Sequence, residues 1–208
     1  MTQESATELL ALHAVRLRGF ANTARLAERF GISVEEMNEH LLDFQAFGWV
    51  SRSSFGETEG WSLTAAGIRE NEAKLAAELL LTDAAQTSIN RAHARFLPLN
   101  RLVLGACTDW QLRPTEADSF AANDHTDSDW DARIFEKLTS ASHDLDSLNN
   151  ELVAVLARFT GYATRFRRAL ERARTGGHAW VNGTGIDSCH SVWFELHEDL
   201  IATLGITR

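Results

Sequence analysis

The sequence predicts a mainly helical protein in which three helices and a β-hairpin precede a helical bundle. Only two prolines and thirteen glycines occur among 208 residues, so helix breakers are few. Apolar residues recur at helical spacing through most of the chain. The period changes once, in residues 49–63, where turn residues separate two extended segments. We expect two domains, residues 1–81 and residues 82–208.

Two helices are predicted at the start of the chain. Ser5 and Glu8 have the spacing of a capping box, so the first helix is expected to begin there. Apolar residues follow at roughly helical spacing: Leu9, Leu12, Val15 and Phe20. A second, short helix is expected over 23–30. Gly31 ends it, because glycine adopts a left-handed cap without strain.

A third helix is predicted from Ser33 to Gly48. Ser33 and Glu36 form another capping box. The apolar residues that follow are spaced by three, four and three, which predicts one buried stripe: Val34, Met37, Leu41 and Phe44.

The next segment, "WVSRSSFGETEGWSLT", predicts the hairpin. Trp49 and Val50 begin one strand, "FGETEG" supplies turn residues, and residues 61–63 form the second strand. Thr64 is expected to cap a helix over 65–81. That helix directs three aliphatic side chains toward a core: Ile68, Leu75 and Leu79.

These first 80 residues resemble the winged helix-turn-helix of the MarR and PadR types of bacterial transcription regulator. The resemblance rests on Ala27 and Gly31 in the turn, on "FGWV" after the third helix and on "LTAAG" after the wing. It implies that the outer side of the third helix lies in the DNA major groove. We therefore expect a one-component regulator that binds a double-stranded operator as a homodimer.

The resemblance and the local chemistry together give six candidate DNA-binding residues: Arg25, Arg29, Ser33, Asn38, His40 and Arg52. Charge argues against this interpretation, because residues 1–75 hold seven Lys or Arg and eleven acids. Four of those acids belong to the third helix: Glu35, Glu36, Glu39 and Asp43. The alternative is a winged-helix interaction or accessory module that does not bind DNA.

Composition excludes several other classes. The formal net charge of −9 disfavours non-specific affinity for nucleic acid or for an anionic membrane. We expect no membrane partner and a cytoplasmic location, because no basic leader and no long apolar run are present. The two cysteines suit a reducing compartment. No phosphate loop, dinucleotide fingerprint or serine elbow occurs, so we expect neither an enzyme nor a cofactor.

The second half predicts a bundle of its own. Helices are expected over residues 83–96, 99–112, 128–142, 144–159, 160–175 and 191–204. Two irregular segments interrupt them, "RPTEADSFAANDHTDSD" and the glycine-rich "TGGHAWVNGTGIDSCH".

Two patterns in this half are similar to metal sites but lack the residues or the spacing that a metal site needs. Asp127, Asp129 and Asp131 alternate as in an EF-hand, but Ala132 and Leu138 stand where glycine and glutamate are needed. Ser128 with Asp131 is therefore interpreted as a helix cap.

In the last helix, His190 and His197 are two turns apart, about 10 Å, which is too far to chelate one ion. Glu195 and Asp199 share one side of that helix and are expected to form a solvated acidic edge, with a pair of acid–base carboxylates as the alternative. We therefore expect no metal.

Charge is distributed unevenly in the second half. Residues 109–131 hold seven acids, whereas residues 158–174 hold six arginines. We expect the two segments to meet in an ion-pair network, with an anion-binding surface as the alternative. Aromatic walls with polar groups also suit a small organic ligand. The candidate ligand-binding residues are Trp110, Arg165, Trp180, His190, Trp193 and His197.

Overall fold

The computed structural model describes residues 2–56, 58–81 and 85–206. The chain forms two compact units. Unit 1 consists of Met1–Ile89, Val155–Arg158 and Glu198–Arg208, and unit 2 consists of Asn90–Ala154 and Phe159–His197. Unit 1 thus takes residues from three stretches of the sequence. The division at residue 81 stays a prediction about domains.

The described residues form helices and one two-stranded antiparallel sheet. The elements in chain order are α1 (Thr7–Arg18), α2 (Thr23–Phe30), α3 (Val34–Ala46), β1 (Val50–Phe55), β2 (Thr58–Leu63), α4 (Ala65–Leu79), α5 (Ala85–Gln111), α6 (Ser128–Val155), a 3-10 helix (Ala157–Phe159), α7 (Tyr162–Arg174), α8 (Ala179–Asn182) and α9 (Cys189–Leu204). Within the described ranges, none of these helices has the length and hydropathy that crossing a bilayer requires.

The core of unit 1 lies among α1, α2, α3 and the hairpin. Its central side chains are fully or almost fully buried: Leu12, Val15, Leu26, Met37, Leu41, Phe44, Val50 and Trp61. Met37, Leu41 and Phe44 come from the predicted stripe of α3 and are confirmed as core residues. Val34 is not, because it is 47% exposed at the first position of the helix.

The helix N-caps of unit 1 confirm two predictions and overturn one. Ser33 accepts a hydrogen bond from the Glu36 amide at 3.1 Å, and Thr64 accepts one from the Gly67 amide at 3.1 Å. The predicted cap at Ser5 is wrong, because Ala6 occupies the N-cap position of α1 and makes no side-chain cap. The Ser5 hydroxyl is buried without a partner among the described residues.

The hairpin closes against α4 by a direct backbone contact. The strands pair from Val50 opposite Leu63 to Phe55 opposite Thr58. The Trp49 carbonyl accepts from the Thr64 amide at 2.9 Å. A Cβ on Gly67 would lie 2.0 Å from the same oxygen, so glycine is needed there. Ile68, predicted in the core, is instead 40% exposed one residue later.

Unit 2 is organised around Trp193 on α9. Its ring stacks on Phe96 at 5.0 Å and meets Phe166 edge-on at 5.5 Å, while its indole donates to Oδ1 of Asn100 at 3.0 Å. Asn149 joins α6 to the start of α7. Its amide donates to the Phe159 carbonyl at 2.7 Å and accepts from the Ala163 amide at 3.0 Å. Aromatic packing and satisfied amides therefore define this core.

Two predicted helix boundaries in unit 2 are wrong. α5 continues through Pro98. Proline has no amide hydrogen to donate to the Ala94 carbonyl, but both residues are exposed, so water can solvate that carbonyl. α6 continues through Ser142, which is itself buried. One buried stripe with spacings of three and four runs along α6: Ile134, Leu138, Ala141, Leu145, Leu148 and Leu152.

The α6 cap and the predicted ion-pair network also differ from expectation. Asp127, rather than Ser128, accepts from the backbone at the start of α6, through the amides of Asp129 and Trp130. The arginines of α7 pair with other acids: Arg165 with Asp187 and Glu195, and Arg167 with Asp146. In the acidic segment, Asp109 pairs with Lys137, and Arg113 lies close to Asp124 and Asp127. None of the ion pairs named here joins one segment to the other.

Candidate nucleic-acid interface

α2 and α3 are joined by a tight turn. Gly31 takes the left-handed conformation, with φ 67°. The Ile32 amide donates to the Ala27 carbonyl at 3.1 Å, so the chain leaves α2 in a fixed direction. Ser33 then caps α3. The turn between α2 and α3 is therefore determined by Gly31 and Ser33, two short-range signals that can be recognised in the sequence.

One side of α3 is exposed along its whole length. We call this side the outer face; it lies opposite Met37, Leu41 and Phe44 and consists of Glu35, Asn38, Glu39, Leu42 and Asp43, all exposed. An amide and an aliphatic group lie there among three carboxylates. The outer face therefore has groups that can contact base edges, but no cation of its own.

The hairpin is held beside the start of α2. Trp61 is buried, and its indole donates to the Thr23 hydroxyl at 3.2 Å. Its backbone also exchanges two hydrogen bonds with Ala21, at 2.9 and 3.3 Å. A side chain at Gly60 would meet the Ala21 carbonyl at 3.0 Å and the ring of Phe20 at 2.8 Å. Glycine therefore permits this close approach.

The hairpin carries one of the candidate cations. Arg52 lies opposite Trp61 on the hairpin, with its guanidinium 5.5 Å from the indole ring. It pairs with Glu59 through two contacts of 2.7 and 2.8 Å, and both side chains are at least half exposed. Such an exposed pair contributes about 0–1 kcal/mol, so the guanidinium can exchange Glu59 for another anion at little cost.

The remaining DNA candidates are placed differently from one another. Arg25 is partly exposed on α2 and pairs with Glu28 at 2.9 Å. Arg29 is buried: its guanidinium lies 4.3 Å from the Phe30 ring centroid and donates to the Arg158 carbonyl at 3.5 Å. The half-buried His40 stacks on Phe44 at 5.8 Å. Burial leaves Arg29 out of any surface formed by Arg25, Ser33, Asn38 and Arg52.

The six predicted ligand-binding residues of unit 2 do not share a single site. Trp193 and His197 both contact Phe96 in the core. Arg165 is held by Asp187 and Glu195; burial alone would lower the pKa of this guanidinium, but the two carboxylates raise it. Trp180 lies under the Arg172 guanidinium at 4.3 Å, and His190 is tilted against Phe194 at 6.3 Å.

Trp110 belongs to a different group, which the sequence did not indicate. The His125 ring lies 4.2 Å from Trp110 and 4.6 Å from His178. Asp131 accepts from Nδ1 of His125 at 3.0 Å, and Asn123 donates to the same carboxylate at 3.0 Å. In the sequence, only the alternating acids around Asp131 drew attention to this region, and their pattern predicted a helix cap.

A second group that the sequence missed is a buried polar network in unit 1. His13 of α1 lies 3.1 Å from Oδ1 of Asp199 and 3.2 Å from Oδ1 of Asn71. Arg158 donates to Asp199, to Glu78 at 3.0 Å and to Thr203 at 2.6 Å. We call these residues, all buried, the polar network: His13, Asn71, Glu78, Arg158, Asp199 and Thr203.

Neighbouring charges in the polar network stabilise the ionised forms of Asp199 and Arg158. Burial alone would raise the pKa of Asp199, but Arg158 and His13 hold it below its ordinary value. Burial alone would likewise lower the pKa of Arg158, which Asp199 and Glu78 raise instead. The predicted solvated edge of Glu195 and Asp199 is therefore wrong, because both carboxylates are buried beside arginines.

In the described ranges both thiols are buried, and no group of side chains is arranged as a metal site. Burial raises the pKa of both Cys107 and Cys189 to about 12, so each thiol is protonated at neutral pH. Among residues 2–56, 58–81 and 85–206, no three His, Cys, Asp or Glu side chains are arranged to hold a metal ion.

No protein-family model, curated protein or solved structure matches this chain.

Proposed function

We propose that residues 1–81 are a winged helix-turn-helix that binds double-stranded DNA, and that the protein is a one-component transcription regulator. In this proposal α3 enters the major groove and the β1–β2 hairpin is the wing. The helices that follow residue 81 form a bundle that dimerises, responds to a small ligand, or both. The resemblance of the first 80 residues to MarR and PadR regulators supports this function.

The observation that carries the proposal is the pairing of an exposed α3 with an anchored hairpin. α3 follows a glycine turn, buries one stripe and leaves its outer face accessible. Trp61 fixes the hairpin to Thr23, at the start of α2. A helix presented in this way, with an adjoining ribbon, suits groove and phosphate contacts at the same time.

The contacting groups are few. Asn38 has the amide that pairs with adenine, and Ser33 lies at the α3 N-terminus, where backbone amides attract phosphate. Arg25 and Arg52 supply positive charge once they exchange Glu28 and Glu59 for phosphate. Two such cations per protomer support modest affinity. A homodimer would double the number of phosphate contacts.

A selection experiment tests this function. The full-length protein is incubated at low salt with a random duplex library, and bound sequences are enriched over several rounds. We expect a motif with two half-sites about one helical turn apart. Asn38→Ala should relax the base preference, and Arg52→Ala should weaken binding to all sequences. Arg101→Ala, an exposed arginine of α5, is the control. Absence of any enriched motif would overturn the proposal.

A second candidate is a protein-interaction module that does not bind DNA. The specific observation in its favour is the composition of the outer face, where Glu35, Glu39 and Asp43 surround Leu42, which is 49% exposed. Phe47, at the end of α3, is 63% exposed. Acidic and apolar groups together suit a basic, amphipathic partner. Under this function, Leu42→Ala and Phe47→Ala would weaken partner binding, and the DNA selection would recover nothing.

A further inference from the structure

Unit 2 presents an ordered loop with an aromatic side chain at its tip. We call residues 113–122 the tip loop. At its base, the Arg113 amide donates to the Ala121 carbonyl at 2.8 Å. Near its tip, Oδ1 of Asp118 accepts from the Phe120 amide at 2.8 Å. The Phe120 side chain is nevertheless 78% exposed. An exposed aromatic side chain on an ordered backbone suits a protein interface, because little loop entropy remains to be lost on binding.

The tip loop carries negative charge around this aromatic group. Glu116 and Asp118 are exposed, and neither forms an ion pair with another described residue. The cation of the loop, Arg113, lies instead 3.3 Å from Asp127 and 3.8 Å from Asp124. A surface that complements the tip loop therefore has cations beside an apolar or aromatic group.

The exposed side of α7 provides cations of this kind. Arg168 and Arg172 lie one helical turn apart, and neither forms an ion pair with a described residue. The Arg172 guanidinium lies 4.3 Å from the ring centroid of the half-buried Trp180. Glu171 is also exposed on α7 but pairs with neither arginine. Like charges one turn apart repel, so an acidic partner would stabilise Arg168 and Arg172. We call Arg168, Arg172 and Trp180 the α7 surface.

The tip loop and the α7 surface lie at the same end of unit 2. His178 precedes Trp180 by two residues, and its ring lies 5.4 Å from Trp110 and 4.6 Å from His125. Trp110 and His125 stand just before and just after the tip loop in the sequence. Two complementary patches at one end of a protomer allow a two-fold axis to bring each patch onto the other patch of a second copy.

We propose that the tip loop of one copy binds the α7 surface of a second copy, so that the chain forms a two-fold homodimer through unit 2. Glu116 and Asp118 pair with Arg168 and Arg172 of the second copy, and Phe120 packs beside its Trp180. Each contact occurs twice in the dimer. This interface deepens the homodimer of the proposed regulator. It is measured without DNA, so its failure and a failure of DNA binding are distinguishable.

Sedimentation velocity of the full-length protein tests the aromatic anchor. The salt concentration is about 50 mM, where exposed charges are only weakly screened. We expect a reversible dimer of the wild type, with a Kd that Phe120→Ala raises at least about tenfold. Phe194→Ala is the control, because Phe194 is also an exposed aromatic residue of unit 2, and it should change the Kd less than about twofold. Wild-type protein that stays monomeric up to about 200 μM would overturn the proposal.

Charge reversal tests which surfaces meet. Glu116→Lys and Arg168→Glu should each weaken self-association at least about tenfold, because each places like charges opposite one another twice per dimer. A mixture of these two variants should form a heterodimer with nearly wild-type affinity, because both of its contacts then join opposite charges. Arg101→Glu is the control, since Arg101 is exposed on α5 and forms no ion pair with a described residue.

The mixture separates a lost interface from a damaged fold, because a misfolded variant would not recover on mixing. We expect Arg101→Glu to change the Kd less than about twofold. Equal self-association of Glu116→Lys, Arg168→Glu and Arg101→Glu would place the dimer interface elsewhere and overturn the assignment. Two reversed variants that do not associate with each other when mixed would overturn it as well.

Discussion

Nε2 of His13 and Oδ1 of Asp199 lie 3.1 Å apart, and neither side chain is exposed to solvent. The two residues are 186 positions apart in the sequence. Asp199 also accepts from Arg158, which is equally buried. Ionised groups in such a place are stable only while every partner is present, since one missing partner leaves a charge buried without compensation.

Asp199→Asn should therefore be among the most damaging substitutions in unit 1. We expect the free energy of unfolding at pH 7 to fall by about 3–5 kcal/mol, because Arg158 loses a buried counter-charge. Asp146→Asn is the control, since the Asp146 pair with Arg167 is exposed and should contribute about 1 kcal/mol or less. Chemical denaturation followed by circular dichroism measures both.

The same pair predicts a pH dependence. The pKa of Asp199 is lowered in the folded protein, so its stabilisation is present above the unfolded pKa, about 4. That stabilisation is lost progressively as the pH falls below this value toward the folded pKa. The difference in unfolding free energy between wild type and Asp199→Asn should accordingly shrink between pH 5 and about pH 3. A difference that is independent of pH would contradict the assignment of a buried, ionised Asp199.

Two serines with the same sequence signature should respond oppositely to alanine. Ser33 caps α3, so Ser33→Ala should cost about 1 kcal/mol of stability. The Ser5 hydroxyl caps nothing and is buried without a partner among the described residues, so Ser5→Ala should be neutral or stabilising. Thermal and chemical denaturation of the two variants provide the comparison. Equal losses would mean that Ser5 does cap α1.

Glycine is required at one helical position and dispensable at another. Gly67→Ala places a methyl group 2.0 Å from the Trp49 carbonyl, so we expect a loss of about 1–3 kcal/mol or more. Gly105 lies inside α5, and an added Cβ would meet nothing within 4 Å. Gly105→Ala should stabilise the protein by about 0.5–1 kcal/mol. Denaturation midpoints measure the two changes, and equal signs would contradict the packing of α4 on the hairpin.

Local signals allowed much of unit 1 to be predicted. α2 occupies the predicted residues, because Asn22 and Gly31 cap its two ends. The hairpin forms in the expected segment, but β1 begins at Val50 rather than at Trp49, and β2 begins at Thr58, inside the predicted turn. At these places, the side chain and the backbone conformation it favours lie within a few residues of each other.

Long-range packing explains what the sequence did not predict. α6 passes through a weak break at Ser142 because a single stripe remains buried on both sides of that residue. The polar network joins α1, α4, Arg158 and α9, which no local pattern connects. Two signals were nevertheless present: His13 lies between the buried Leu12 and Ala14, and Asp199 precedes Leu200 on the buried side of α9. Charged or polar residues at core positions of an amphipathic helix indicate buried partners.

The salt dependence of DNA binding tests most directly whether the outer face of α3 and the hairpin contact a duplex. Affinity for the selected duplex is measured from about 20 to 200 mM salt in wild type, Arg25→Ala, Arg52→Ala and Glu39→Gln. With two phosphate contacts per protomer, a dimer should give a slope of log K against log salt of about −3.6. Each arginine variant should reduce its magnitude by about 1.8, because two contacts are lost per dimer.

Glu39→Gln should strengthen binding, because it removes a carboxylate from the face of α3 that is proposed to contact DNA. Wild-type protein that does not bind any duplex at about 20 mM salt, or a slope that neither arginine variant changes, would contradict DNA recognition by these residues.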